Sequence, residues 1–186
     1  MRKSPRETCL NRELCGASGH LVKDGVVHRC DCLQMELNQK SLGVFYTDNV
    51  AESSTLEGLL DKNLTIEGAM DSIRPQVARA LLTLSTKLKT SQAYDSYRLM
   101  DIFLEKDEEF DNYSKAEDAD LFILLLGFGE IKNQRLPDCI MQVITRRELV
   151  QLPTWVVLGI SRPEVAMKFN NAVFDKVDSF KKVVIR

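Results

Sequence analysis

Asp120-Leu-Phe-Ile-Leu-Leu-Leu126-Gly127 is the stretch on which the reading of the whole chain turns. Consecutive apolar residues stand between an acid and a glycine. A strand with one wet face alternates polar and apolar residues, and this run does not. It therefore reads as a strand buried on both faces, as in a parallel sheet covered by helices on each side. Even extended to Phe128 it is far shorter than the roughly 20 residues that a membrane-spanning helix needs.

Thr154-Trp-Val-Val-Leu158 is a second strand of the same kind. Val183-Val-Ile185 is a last strand, and Leu64-Thr-Ile66 is a short one stopped at Gly68. Helical spacings fall between them. Val77, Leu81, Leu84 and Leu88 recur at three- and four-residue intervals. Pro75 suits the first position of that helix, where a missing N–H costs nothing. Tyr94–Phe110 becomes a helix with Leu99, Ile102 and Phe103 inward, and Asp107–Asp120 reads as a polar acidic loop. Pro137–Leu149 is helical, with Ile140, Val143 and Ile144 apolar and Arg146-Arg147 near its end. Pro163–Phe174 is a further helix. Upstream, Ser54–Leu60 reads as a first helix after an acidic linker, and Leu33–Gly43 as a short helix or connector. Strands alternating with helices define an α/β class with a mainly parallel sheet. The expected division is a cysteine module with its connector over residues 1–43 and an α/β domain over 44–186.

The chain has 186 residues, a formal net charge of -2 and 44% hydrophobic residues. That composition excludes full-length disorder, collagen and a disulfide miniprotein, and a chain of this size buries a real core. Charge is segregated. Residues 101–120 carry nine acidic and two basic side chains, whereas residues 131–186 carry ten basic and five acidic ones. Solvated faces account for such blocks, and so does a basic side for phosphate with an acidic side for a protein partner. Arg146, Arg147, Lys181 and Lys182 are the candidate nucleic-acid contacts. Arg146-Arg147 reads more simply as a solvated helix end that complements the macrodipole. Trp155 reads as core.

Four of the five cysteines, Cys9, Cys15, Cys30 and Cys32, lie in the first 32 residues. A β-like stretch with a Lys23-Asp24-Gly25 turn separates the two pairs, and a hairpin there would bring them together. Four thiolates at about 2.3 Å satisfy tetrahedral zinc, and metal binding can supply the folding energy of a segment this small. Free thiols or a redox disulfide are the alternatives, and His20 or His28 could replace one cysteine. A closed four-cysteine site leaves no open position for a substrate, so such a zinc would be structural. Cys139 reads as a small core residue. The basic start Met1-Arg2-Lys3-Ser4-Pro5-Arg6 has no hydrophobic signal region after it, and a cytoplasmic location with no membrane is expected.

Taken in order, these pieces resemble a known family. The cysteine module precedes a short strand, a glycine and a helix. A hydrophobic strand, a helix with an arginine pair, a Pro-Thr-hydrophobic strand and a terminal serine plus strand follow. This order is similar to that of the DnaC/DnaI/IstB group of AAA+ ATPases, which load replicative helicases or assist transposases. Asp120–Arg186 follows the family order best. The resemblance implies an AAA+/RecA-like fold, and it also shows where the catalytic pattern is missing.

A phosphate loop needs Gly-x4-Gly-Lys-Ser/Thr, because backbone amides cradle phosphate, the lysine neutralises charge and the hydroxyl holds Mg²⁺. The matching run here is Gly68-Ala-Met-Asp-Ser-Ile73-Arg74-Pro75. Ile73 stands for the second glycine, Arg74 for the lysine and Pro75 for the hydroxyl. The acidic pair that closes the hydrophobic strand in the family falls on Leu125 and Leu126, and Glu130 comes late. The polar sensor falls near Leu158-Gly159-Ile160. The terminal Ser-Arg finger aligns with Ser179-Phe180, leaving Arg162 or Arg186 as substitutes. The expectation is therefore a pseudo-ATPase that binds no ATP. It would act as a replication adaptor on a replicative helicase or an intact AAA+ paralogue, with single-stranded DNA as a further partner. The competing readings are a weak ATPase using Arg74 and Glu130, and a DNA-binding protein.

Overall fold

Five parallel strands carry the body of the protein. The structure, a computed structural model, describes residues 9, 11–16, 18–30, 32–33, 45, 47, 50–86, 89–104, 110–127 and 134–186. All but Leu33 of the expected connector, and Glu130, lie outside the described residues. The chain begins with a short helical turn α1 (Arg12–Cys15) and a two-stranded antiparallel ribbon, β1 (His20–Lys23) and β2 (Val26–Arg29). A 3₁₀ turn (Thr55–Leu59) leads into β3 (Leu64–Gly68) and α2 (Met70–Thr86). Then come β4 (Ser91–Asp95), α3 (Ser96–Leu104), α4 (Phe110–Asp118), β5 (Leu121–Leu126) and α5 (Leu136–Leu149). The chain finishes with β6 (Thr154–Leu158), α6 (Arg162–Phe169), α7 (Asn171–Asp178) and β7 (Lys181–Ile185).

The strand order is β4-β5-β6-β3-β7, and every neighbouring pair in this sheet is parallel. Side chains along β5 sort onto the two faces as a doubly covered strand requires. Leu121 and Ile123 join Leu64, Ile66, Trp155 and Val157 against Ile73, Val77, Leu81 and Leu84 of α2. Phe122, Leu124 and Leu126 join Val156 and Leu158 against α3, α5, α6 and α7. Each such fully buried aliphatic side chain contributes roughly 1.5–3 kcal/mol. Phe45 and Leu56 close the first cluster and are fully buried. The 3₁₀ turn matches the expected first helix. Ser54 caps it, its Oγ accepting from Leu56 N while Glu57 accepts from Ser54 N.

Four expectations are corrected. Tyr94 and Asp95, expected at the start of a helix, instead end an edge strand, Ser91–Asp95, whose polar residues conceal a backbone that pairs with β5. The expected loop over Asp107–Asp120 contains α4. The expected helix from Pro163 to Phe174 is two helices, broken at Asn170, which sits at φ 88° and accepts Val173 N on its Oδ1 at 3.0 Å. Pro75 lies inside α2 rather than at its start, because Ala69 O already accepts Ser72 N and Ile73 N at 2.9 Å each.

Candidate metal centre and the carboxyl end of the sheet

The cysteines come together because the ribbon folds back at Asp24 and Gly25, both at positive φ (53° and 75°), as a tight two-residue hairpin requires. Cys15 ends α1, and Cys30 follows β2 directly. Cys30 N donates to Gly19 O at 2.8 Å, which ties the foot of the ribbon to the loop after α1. Gly19 is itself at φ 83°, and a Cβ there would lie 2.7 Å from that of Leu33.

The four Sγ atoms of Cys9, Cys15, Cys30 and Cys32 all lie within 4.8 Å of one another. Cys9 is 3.4 Å from Cys30 and 3.6 Å from Cys15, and Cys15 is 4.0 Å from Cys32. A tetrahedral centre with metal–sulfur bonds of roughly 2.3 Å places its sulfurs about 3.8 Å apart, so the donor set fits such an ion. Burial and then the neighbouring thiols push the Cys32 thiol above its ordinary range. A bound cation reverses that penalty, because the ligand is the thiolate. His20 and His28 are exposed on the ribbon, and among the described residues the cluster is made of cysteine alone. Among the described residues, the module has little other interior: Leu21 packs against the cysteines.

In open α/β sheets ligands bind beyond the carboxyl ends of the strands, where the strand order reverses. Here that place is the end of β3, between β6 and β7. A single residue, Ala69, separates β3 from α2. Gly68 is at φ 147°, and a Cβ on it would overlap the carbonyl oxygen of Ile185 in β7. Close strand packing thus accounts for this glycine. Ile73 is fully buried in the core beneath α2, while Arg74 projects outward with Asp71 at 4.0 Å. Pro75 has no N–H to donate within the helix, and its carbonyl accepts Ala51 N at 3.2 Å.

Leu126 is buried, and its carbonyl accepts Gly159 N at 2.8 Å. Leu125 is half-buried and leans over Gly159. Among the described residues, Glu67 and Asp95 reach this end of the sheet, and both are engaged. Glu67 accepts from Arg162 Nε at 2.6 Å, and Arg162 also pairs with Asp178, which Lys182 meets at 2.9 Å. These carboxylates hold the Arg162 guanidinium above its already high pKa, chiefly through the Glu67 hydrogen bond. Asp95 accepts Arg98 N at 2.8 Å and caps α3. Phe180, at the finger position, is a core residue, and Ser179 Oγ donates to Lys176 O.

Of the candidate nucleic-acid contacts, Arg146, Lys181 and Lys182 are exposed. Arg147 is not, which corrects both of its expected roles, phosphate contact and solvated helix end. It is fully buried, and all five N–H donors are used. Nε donates to Thr154 Oγ1 at 3.1 Å; Nη1 donates to Ala116 O and Glu117 O at 2.8 and 2.9 Å. Nη2 donates to Ala119 O and Pro153 O at 2.8 and 2.7 Å. The cation lies 5.6 Å from the Phe122 ring centre. Burial draws its pKa down to about 10, so it stays charged at neutral pH. Its site at the carboxyl end of α4 is where a helix dipole favours a cation. No spacing in the sequence separates this arginine from its exposed neighbour Arg146.

No protein-family model matches the chain, and no curated protein matches it. Solved structures do. A DnaC helicase loader superposes with a TM-score of 0.55 at 15% identity, covering 83% of this chain and 88% of its own. A protein described as a primosome component of Streptococcus pyogenes serotype M3 gives 0.53 at 18%, covering 100% and 90%. AMPPCP-bound DnaA from Aquifex aeolicus gives 0.56 at 14%, covering 70% of this chain, which in turn spans 42% of that one. The fold is therefore α/β, a parallel sheet flanked by helices, and it is similar to the folds of the solved DnaI and DnaC structures. Among the described residues, no helix is long and apolar enough to cross a membrane.

Proposed function

We propose that this chain is a non-hydrolysing replication adaptor of the helicase-loader type, with an AAA+-like body and a zinc-bearing module that together hold a protein partner. The observation that carries the reading is the one-residue connection between β3 and α2. Phosphate cradling needs a loop of free backbone amides. Here the residue in place of the second glycine is a core isoleucine. The engagement of Glu67 and Arg162 with each other further supports it. The partner class is a replicative helicase or an intact AAA+ subunit, since the structural neighbours include a helicase loader and a protein described as a primosome component. Zinc is among the metals that four thiolates favour, and a cluster of free cysteines suits the reducing cytoplasm.

The test is native mass spectrometry of the chain with ATP and Mg²⁺, alongside a turnover assay and titration against a hexameric helicase and an intact loader. The expected outcome is one zinc, no nucleotide and micromolar or tighter partner binding. Magnesium-dependent turnover that disappears in Arg74→Ala would overturn the reading in favour of the ATPase. A second reading, direct DNA contact, draws on exposed Arg146, Lys181 and Lys182. It requires affinity for single-stranded DNA that falls steeply with salt; a flat response removes it.

A further inference from the structure

The four cysteines are not equivalent. Cys15, Cys30 and Cys32 are 4%, 0% and 1% exposed, whereas Cys9 is half-buried. Three of the cysteines are buried in the module, and the fourth is partly open to solvent. Attack on sulfur needs a clear line of approach, so access rather than chemistry separates these thiolates. The Cys9 sulfur lies 3.4 Å from that of Cys30 and 3.6 Å from that of Cys15. Taking Cys9 with Cys30 leaves Cys15 with Cys32, themselves 4.0 Å apart. Taking Cys9 with Cys15 instead leaves Cys30 to pair with Cys32 across a single residue, a geometry far from the relaxed disulfide.

We infer that Cys9 is a modification site: the ligand at which soft electrophiles and peroxides enter the metal centre, with Cys30 as the thiol that resolves it. The inference rests on reading the cluster as a metal site. In the oxidative case the Cys9 thiolate attacks one oxygen of hydrogen peroxide, forming the sulfenic acid and releasing hydroxide. The Cys30 thiolate then attacks the Cys9 sulfur, forming the disulfide and releasing a second hydroxide. Two thiolates lose two electrons in total, and one peroxide is reduced. Two donors are thereby withdrawn from the set of four. Since the sulfurs and Leu21 are the packed interior of the module, the ribbon loses its anchor with them. That ribbon carries Val22 and Val27 opposite each other, 73% and 65% exposed. Whatever the module holds is then held only in the reduced state.

The experiment uses the full wild-type chain as purified, with its metal content measured first. Sub-stoichiometric N-ethylmaleimide is expected to label Cys9 at least ten-fold faster than Cys15, Cys30 or Cys32. One equivalent of hydrogen peroxide is expected to yield Cys9–Cys30 as the first mapped disulfide, formed at the same rate as a chromogenic chelator captures the released metal. Cys139, buried in the body, serves as the internal reference and stays unlabelled. Labelling spread evenly over the four cysteines, or a first disulfide that omits Cys9, overturns the assignment. A chain that carries no metal yet reacts first at Cys9 keeps Cys9 as the modification site but overturns the metal reading and, with it, entry into a metal centre. A metal-loaded chain without preference for Cys9 does the reverse.

Discussion

The body and the cysteine module are held together in opposite ways. The body buries two apolar clusters, one on each face of a parallel sheet. Among the described residues, the module buries three cysteines against one half-buried leucine. Hydrophobic burial is cumulative and tolerates the loss of one member, because each side chain is one of many. Ligation is close to all-or-none, because four donors share one ion. The same chain should therefore answer to chelators in one region and to core substitutions in the other.

The largest expected effect follows from that contrast. Removing metal with a strong chelator, or changing Cys30→Ser, should abolish the ordered ribbon while the thermal transition of the body moves little. Amide exchange followed region by region checks this. A single transition lost as a whole would mean that the two regions are one cooperative unit. Next in size is Arg147→Met. It strips hydrogen bonds from four carbonyls and from Thr154 and leaves them buried; at about 1–3 kcal/mol for each group left unsatisfied, denaturant unfolding should show a loss of more than about 2 kcal/mol. Arg146→Met, on the exposed side of the same helix, should cost under about 0.5 kcal/mol.

Gly68→Ala ranks third. The new methyl meets the Ile185 carbonyl, so β7 must shift, at a cost of roughly 1–3 kcal/mol. If Gly68 were kept for phosphate instead, the alanine variant would leave stability alone. Acid sensitivity ranks fourth. Asp178 lies below its ordinary 3.8, first through Lys182, and Glu57 and Glu164 lie below 4.5, first through Thr83 and Ser161. Lowered carboxyl pKa values mean that the folded state binds fewer protons than the unfolded one. Their contribution is present above these ordinary values and is lost as pH falls through the folded ones. Glu117, raised by burial, acts in the opposite sense. A urea midpoint that falls on acidification below about pH 4.5, and does so less in Asp178→Asn, is the expected result. The smallest effect is a gain. Gln151 sits at φ 58°, and Gln151→Gly should raise stability by about 0.5–1 kcal/mol.

Much of this architecture is legible before folding. Leu121–Leu126 and Thr154–Leu158 announce themselves because strands buried on both faces have no polar positions to hide among. The cysteines are legible too, since the Lys23-Asp24-Gly25 turn places the pairs side by side. The edge strand β4 is not legible. Ser91-Gln-Ala-Tyr-Asp95 has weak apolar content, and it becomes a strand because β5 offers it a ladder. Nor is α4, whose charged sequence reads as loop. Its last carbonyls are gathered by Arg147 from another helix, 31 residues away in the case of Ala116.

The sequence by itself determined the α/β class, the helices and strands with strong periodicity, and the four donors of the candidate metal centre. Each rests on a local pattern of side-chain hydrophobicity or on residue type. Only the tertiary structure decided that Arg147 is a buried clamp while Arg146 is free to meet solvent. It alone showed that Gly68 yields to a neighbouring strand and that Cys9 is the outermost of four sulfurs. These are properties of neighbours distant in the chain, and burial and contact exist only once those neighbours have met.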